Sequence, residues 1–298
     1  MSTPPSDPVA SALFRPDRRL RRRKLVNRLM EGIALLASTA AVAVLVIVFV
    51  TVLRRGWSAL SVDFFTKGPG FFGSTNTGIA DAIVGSLIIV ALAMLFAVPI
   101  GVSIAIFVSE LAPKPLANAI RLALDVINGI PTIVIGLFIF TVIVLAQGQS
   151  AWAGAMALAI IALPLVARST QEVLRLVPGS LREAALALGA SRWRTTLGVV
   201  LPTSVGGILT GATLAVARIA GETAPVLFTS SLTANVVDWH PSHPLMTIPL
   251  KIFELSDSPD PADQARAWAA GIVLLGFVLV TSLISKGFLA RQRRKLSR

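Results

Sequence analysis

Long apolar runs separated by short polar stretches set the plan of this chain. Residues 33–53 carry no charge for 21 positions, which at helical rise is enough to cross the hydrocarbon of a bilayer. A second run covers 82–108, and Pro99 is expected to kink it because proline removes a helix hydrogen bond. The third covers 127–146 and opens on Asn128-Gly129-Ile130-Pro131; the fourth covers 152–167, with Pro164 near its end and Arg168 behind it. The turn between them, 147–150, is so short that these two must form an antiparallel hairpin. The fifth run is 199–220 and the sixth 268–284. The pattern predicts an all-α, polytopic membrane fold of six spans over residues 31–290, between a basic tail at 1–30 and another at 291–298. A secretory signal has a shorter apolar core, so the first run is read as a retained span.

The connections differ in kind. Residues 54–81 form a loop rich in Gly, Ser, Thr and Phe, whose Phe64-Phe65 and Phe71-Phe72 suit either the membrane interface or packing on the spans. Pro113 and Pro115 break the chain after the second span, and 120–125 is expected as a short segment at the membrane surface. Between spans five and six lies a long segment to Arg266 with six prolines, counted from Pro225.

Composition agrees with the pattern and closes other routes. With 54% hydrophobic residues, 14% charged and a mean hydropathy of +0.78, the 298-residue chain lacks the polar surface of a soluble globule. It contains no cysteine, so disulfides, thiol redox chemistry and thiolate metal sites are all excluded. Its two histidines, His240 and His243, share one loop and make no His-rich metal site. A net charge of +12 would suit nucleic acid, but its placement argues for anionic lipid headgroups instead. Of the 27 basic residues, 21 fall on one side under the six-span plan: eight N-terminal, two between spans two and three, five from Arg168 to Arg194 and six C-terminal. By the positive-inside rule both termini and the 168–202 loop are cytoplasmic.

That loop holds the most informative stretch, LREAALALGASRWRTTLGVVLP at 181–202. Glu183, Ala184 and Ala185 are expected to begin a short helix and Gly189 to stop it. The order EAA, three residues, Gly, nine residues, an aliphatic, one residue, then Leu-Pro resembles the EAA loop of ABC importer permeases. The resemblance implies that this short helix is a coupling helix docked in a groove of a cytoplasmic ATPase. The alternative is an amphipathic helix that merely lies on lipid, a surface that Arg182, Arg192, Trp193 and Arg194 would suit too.

A second stretch closes span five: ARIAGETAPVLFTS from Ala217. Arg218 ends a charge-free run from Thr195, and Glu222 follows four residues on. An ionisable side chain at a span either faces a cavity or partners another group, so a role in a pathway and a helix-holding Arg218–Glu222 pair stand level on spacing alone. The segment, with the approach from Arg168 into SLREAALALGAS, resembles the phosphate permease family PstA from about Ile79 to the sixth span. That resemblance implies a type I importer fold and carries roles in phosphate passage onto Arg218, Glu222 and Arg168. It also implies a second, PstC-like permease, a PstB-like ATPase dimer and a PstS-like extracytoplasmic phosphate-binding protein. By linear counting Arg168 and Arg218 stand about a membrane apart.

No GxxxxGK[ST] stretch is present to cradle ATP, and no Ser/His/Asp, HExxH or paired-acid arrangement lies at one depth. The chain is therefore expected to be no enzyme and to need no cofactor, with ATP hydrolysed on a separate subunit. The alternatives are a permease for sulfate or molybdate, a PstC-type subunit, or a membrane scaffold in phosphate signalling.

Overall fold

The computed structural model describes residues 18–70, 77–231 and 236–296 and divides into two units, Met1–Val52 and Leu53–Arg298. The first unit contributes most of helix α1 (Arg18–Gly56), whose opening turns are the basic run Arg18 to Lys24. Residues 1–17 of the N-terminal tail, and Phe71-Phe72, lie outside the described residues.

The second unit is a helical bundle around α3 (Ala80–Ile106) and α6 (Ala151–Arg175). Among the described residues, five helices are long and apolar enough to cross a membrane: those starting at Arg22, Ala80, Ala151, Arg192 and Pro261. The count becomes six if a bent pair, α4 (Lys114–Gly129) and α5 (Thr132–Ile139, prolonged through a π turn to Gln147), is taken as one span. Before α3 stands the short α2 (Val62–Thr66), whose Phe64 is buried in the core and meets Phe65 edge to face at 5.5 Å. After α6 come α7 (Gly179–Ala187), α8 (Arg192–Thr195), a π turn at Thr196–Val200 and α9 (Leu201–Ile219). The chain finishes with α10 (Ala224–Thr229), α11 (Ile248–Ser256) and α12 (Pro261–Leu296).

Several expected boundaries move. The third span does not begin at 127: the chain bends by 95° between Gly129 and Thr132, so 127–129 belong to α4. Pro131 supplies no N–H and its φ of −56° suits a helix start, which makes this a break rather than a kink. The surface segment expected at 120–125 is the second half of the same amphipathic α4. The fourth span does not close at Arg168, because α6 continues two further turns to Arg175. The fifth and sixth crossings begin earlier than hydropathy marks them, at Arg192 and Pro261. Pro99 lies within α3, which continues past it.

Small residues set the helix spacing. Ala93, Ala97, Ala155, Ala162 and Ala215 are wholly buried in one cluster with Ile89, Leu158 and Val166. Between α6 and α9 the approach is close: a Cβ at Gly211 would lie 2.1 Å from Ser169 Oγ, and one at Gly207 would lie 2.5 Å from Val173 Cγ1. The Gly207–Gly211 spacing is the small-xxx-small face by which membrane helices pack without a hydrophobic driving force. The chain between α10 and α11 is tied down, since Ser230 Oγ donates to Leu245 O and accepts from Leu245 N, and Ile248 N donates to Ser86 Oγ.

Candidate functional site

Arg218 stands in the last turn of α9. The helix stops at Ile219, and two tight turns, Gly221 N to Arg218 O and Glu222 N to Ile219 O, carry the chain round. Glu222 therefore comes back beside Arg218 although the helix does not continue, with Nε and Oε1 3.9 Å apart. That is the outer limit of an ion pair. Arg218 is 47% exposed and Glu222 17%, so the guanidinium keeps open donors while its carboxylate partner is largely covered. The next residues form α10, whose Pro225 presses its backbone on Gly136 of α5; a Cβ there would lie 2.7 Å from Pro225 Cα. The turn Gln147–Ser150 is tied to the same region, Gln149 Oε1 accepting from Ser231 N at 2.8 Å.

Arg168 occupies the interior of α6 and reaches α4. Its guanidinium pairs with Asp125, and Nη2 donates to the Arg121 carbonyl at 3.0 Å. Arg121 answers by donating to Gln171 Oε1, Asn118 Oδ1 and the Val108 carbonyl. The bent helix α4 is thus bolted to α6 by two arginines facing opposite ways. Since Gly211 packs on Ser169, Arg168 lies level with the middle of α9, and Arg218 stands seven residues further along, about 10 Å at helical rise. The separation of about a membrane expected from linear counting is corrected: counting ended the fourth span at Arg168, whereas the helix runs on beyond it. The two arginines are nonetheless not brought together, each having its own carboxylate.

The EAA segment forms α7. It starts at Gly179, four residues before Glu183, because Pro178 takes the cap position with φ −58° and ψ 137°. It ends as the glycine requires: Gly189 has φ +81°, its N–H bonds Leu186 O, and Ala190 N–H bonds Ala185 O, a Schellman closure. No residue of α7 is buried. Glu183 and Ala184 are exposed, as are Leu181, Leu186 and Leu188. These leucines are not buried by the rest of the chain among the described residues. Arg182, which the sequence offered to lipid, turns inward instead and pairs with Glu110 at 2.8 Å.

Two groupings were not singled out in the sequence. Arg182 and Glu110 lie 72 positions apart. Lys251, buried in α11, holds Glu254 at 3.0 Å, and buried Asp81 opens α3.

Comparisons with known proteins bear on the family and the fold. A family model described as binding-protein-dependent transport system inner membrane component matches residues 97–294. A relative from Yersinia pestis named phosphate transport system permease protein PstA is 36% identical over 279 residues, covering 92% of this chain and 94% of its own. The Haemophilus influenzae protein of that name is 35% identical, covering 91% and 96%. PstA 1 of Mycobacterium tuberculosis H37Rv is 33% identical, covering 97% and 96%. Among solved structures, a bacterial alginate ABC transporter in complex with a pentasaccharide-bound periplasmic protein superposes with a TM-score of 0.66 at 17% identity, over 92% of this chain and 98% of that one. A chain of the inward facing MetNI methionine ABC transporter gives 0.60 at 15%, over 72% and 97%. At such identities these two establish the fold alone. The chain belongs to the family of binding-protein-dependent transport system inner membrane components, and within it stands with the phosphate transport system permease proteins PstA.

Proposed function

We propose that this chain is the membrane permease subunit of an ATP-driven importer of inorganic phosphate. The observation that carries the reading is the full-length likeness, 33 to 36% identical, to proteins named for phosphate transport; the half-exposed Arg218 in the last turn of α9 supports it. An arginine stays protonated and offers phosphate oxygens a planar donor fork. Glu222 beside it, almost at pairing distance, opposes tight capture of a dianion, so the site attracts the ion yet lets it leave. Arg168 is the second cation of the pathway in this reading, exchanging its Asp125 carboxylate for phosphate deeper in the bundle.

Coupling follows from α7. Glu183, Ala184, Ala185 and Gly189 form the contact with a cytoplasmic, PstB-like ATPase dimer, which carries the hydrolytic chemistry. Closure of that dimer on ATP displaces α7 and switches the cavity, shared with a PstC-like permease, between its two openings. A PstS-like binding protein delivers phosphate at the outer face. Both termini are cytoplasmic.

The test is phosphate uptake per assembled complex. Arg218→Gln keeps some hydrogen bonding but loses the fixed charge, so uptake should collapse while insertion and ATPase docking survive. Were the pair only structural, each single change would lower assembly, and Arg218→Gln with Glu222→Gln would restore both assembly and transport. Normal uptake per complex in Arg218→Gln would defeat the pathway role.

A further inference from the structure

Arg182 sits one residue before Glu183 yet faces away from the exposed surface of α7. Its Nε donates to Glu110 Oε2 at 3.3 Å and Nη2 to Glu110 Oε1 at 2.8 Å, a two-pronged pair. Nη2 also donates to the Leu174 carbonyl and Nη1 to the Val177 carbonyl, both at 2.7 Å. The pair is largely covered, Arg182 being 25% exposed and Glu110 12%.

Each partner marks the end of a different span. Glu110 lies in the π turn Phe107–Leu111 that prolongs α3. Leu174 and Val177 close α6, where the last carbonyls lack helical donors. The donor for Leu174 O four residues on would be Pro178, which has no N–H; Val177 N–H reaches that carbonyl only at 3.4 Å, and Arg182 adds a second, closer donor at 2.7 Å. Cation and helix C-terminus also suit each other electrostatically. Beneath lies an apolar cluster of Ala105, Ile106, Leu174, Val177 and Val200, which keeps water from the joint. Among the described residues this is the one ion pair fastening α7 to the spans.

We propose that Arg182 is the positioning residue through which displacement of α7 reaches α3 and α6 together. It rests on the reading of α7 as the ATPase contact. A push on an exposed helix that buries nothing must pass through what holds it, and Arg182 holds both span ends at once. From Glu110 the chain runs directly into α4, which is itself bolted to α6 by Arg121 and Arg168. Moving Glu110 against Leu174 therefore shears the inner ends of the two central helices.

The experiment uses the whole transporter in vesicles, with both permeases, the ATPase and the binding protein. Two quantities are measured: ATPase subunit retained per permease, and ATP hydrolysed per phosphate imported. Arg182→Gln should retain the ATPase and raise ATP per phosphate by about tenfold, within the usual range of coupling between sites. Arg182→Lys, which keeps the charge and loses the fork, should fall between. Glu110→Gln, which leaves both carbonyl bonds in place, provides a milder variant and should raise the ratio by a smaller factor. If the variants only lower the amount of assembled complex while the ratio per complex stays at the parent value, the proposal is overturned. A parent transporter that imports no phosphate, or whose ATPase binds without α7, would instead overturn the reading on which the proposal rests.

Discussion

The contact between α6 and α9 can be tested by exchanging sizes across it. In Gly211→Ala the new Cβ would meet Ser169 Oγ at 2.1 Å and Ser169 Cβ at 2.6 Å. Carbon atoms rest about 3.5–4.0 Å apart. A change of Ser169 rotamer relieves the first clash but not the second, so the helices must part by on the order of 1 Å, an overpacking that costs about 1–3 kcal/mol. Ser169→Gly removes both offending atoms and leaves the Ser169 Cα at 3.8 Å, an ordinary contact. It also loses the hydrogen bond from Ser169 Oγ to Val166 O and places a glycine inside a helix, each worth about 0.5–1.5 kcal/mol. The double variant regains helix propensity at 211, about 1 kcal/mol, and should be more stable than Gly211→Ala, with a coupling energy of about 1–3 kcal/mol. A double-mutant cycle of reversible unfolding in mixed micelles measures it. Equal stability of Gly211→Ala and the parent, or a double variant no better than the worse single, would refute the packing argument.

Gly136→Ala tests how α5 seats the turn bearing Glu222. Its clash is with backbone atoms, Pro225 Cα at 2.7 Å and Pro225 O at 3.3 Å, so uptake per complex should fall by roughly tenfold or more and Pro225→Ala should not restore it; full uptake would show that the approach is immaterial. Reporter fusions at Lys67, Ser191 and Ser256 should read outside, inside and outside, and a cytoplasmic Lys67 would overturn the topology. The backbone N–H of His240, then the His243 side chain, hold the Asp238 carboxylate below its usual range. A lowered carboxylate stabilises above its ordinary value and ceases to as pH falls through the lowered one. Amide protection around His240 should accordingly be lost only in acid beyond the ordinary aspartate range, and Asp238→Asn should remove that pH dependence; protection that titrates in Asp238→Asn as in the parent would count against this pairing.

What could be read from the chain was what depends on neighbours in sequence. The apolar runs announced most crossings, because a span is defined by its own composition. Gly189 announced the end of α7, because only backbone freedom at one residue was in question. The bend before Thr132 escaped because hydropathy is continuous across it, although Asn128-Gly129 and Pro131 were local signs of a stop and a start. The extension of α6 escaped because a charge was taken as the end of a helix, when Asp125 of α4, itself exposed, pairs with it. No local rule pairs Arg182 with Glu110, or sets Gly136 on Pro225; such contacts exist only once the helices are assembled. For the site residues, the sequence located Arg218 and Glu222 as neighbours but put Arg168 too far away.

The 95° bend has a consequence for the surrounding bilayer. The part of the third crossing beyond it, Thr132 to Gln147, reaches about 24 Å at helical rise, against roughly 30 Å of hydrocarbon. Lipid beside α5 must thin, or headgroups and water must descend, to meet a crossing about 6 Å too short. Water entering on that side shortens the low-dielectric stretch next to the Pro225 turn, and lowers the electrostatic barrier to a multiply charged anion before any side chain has touched it. Importer activity should then depend on acyl-chain length, with thicker bilayers opposing it.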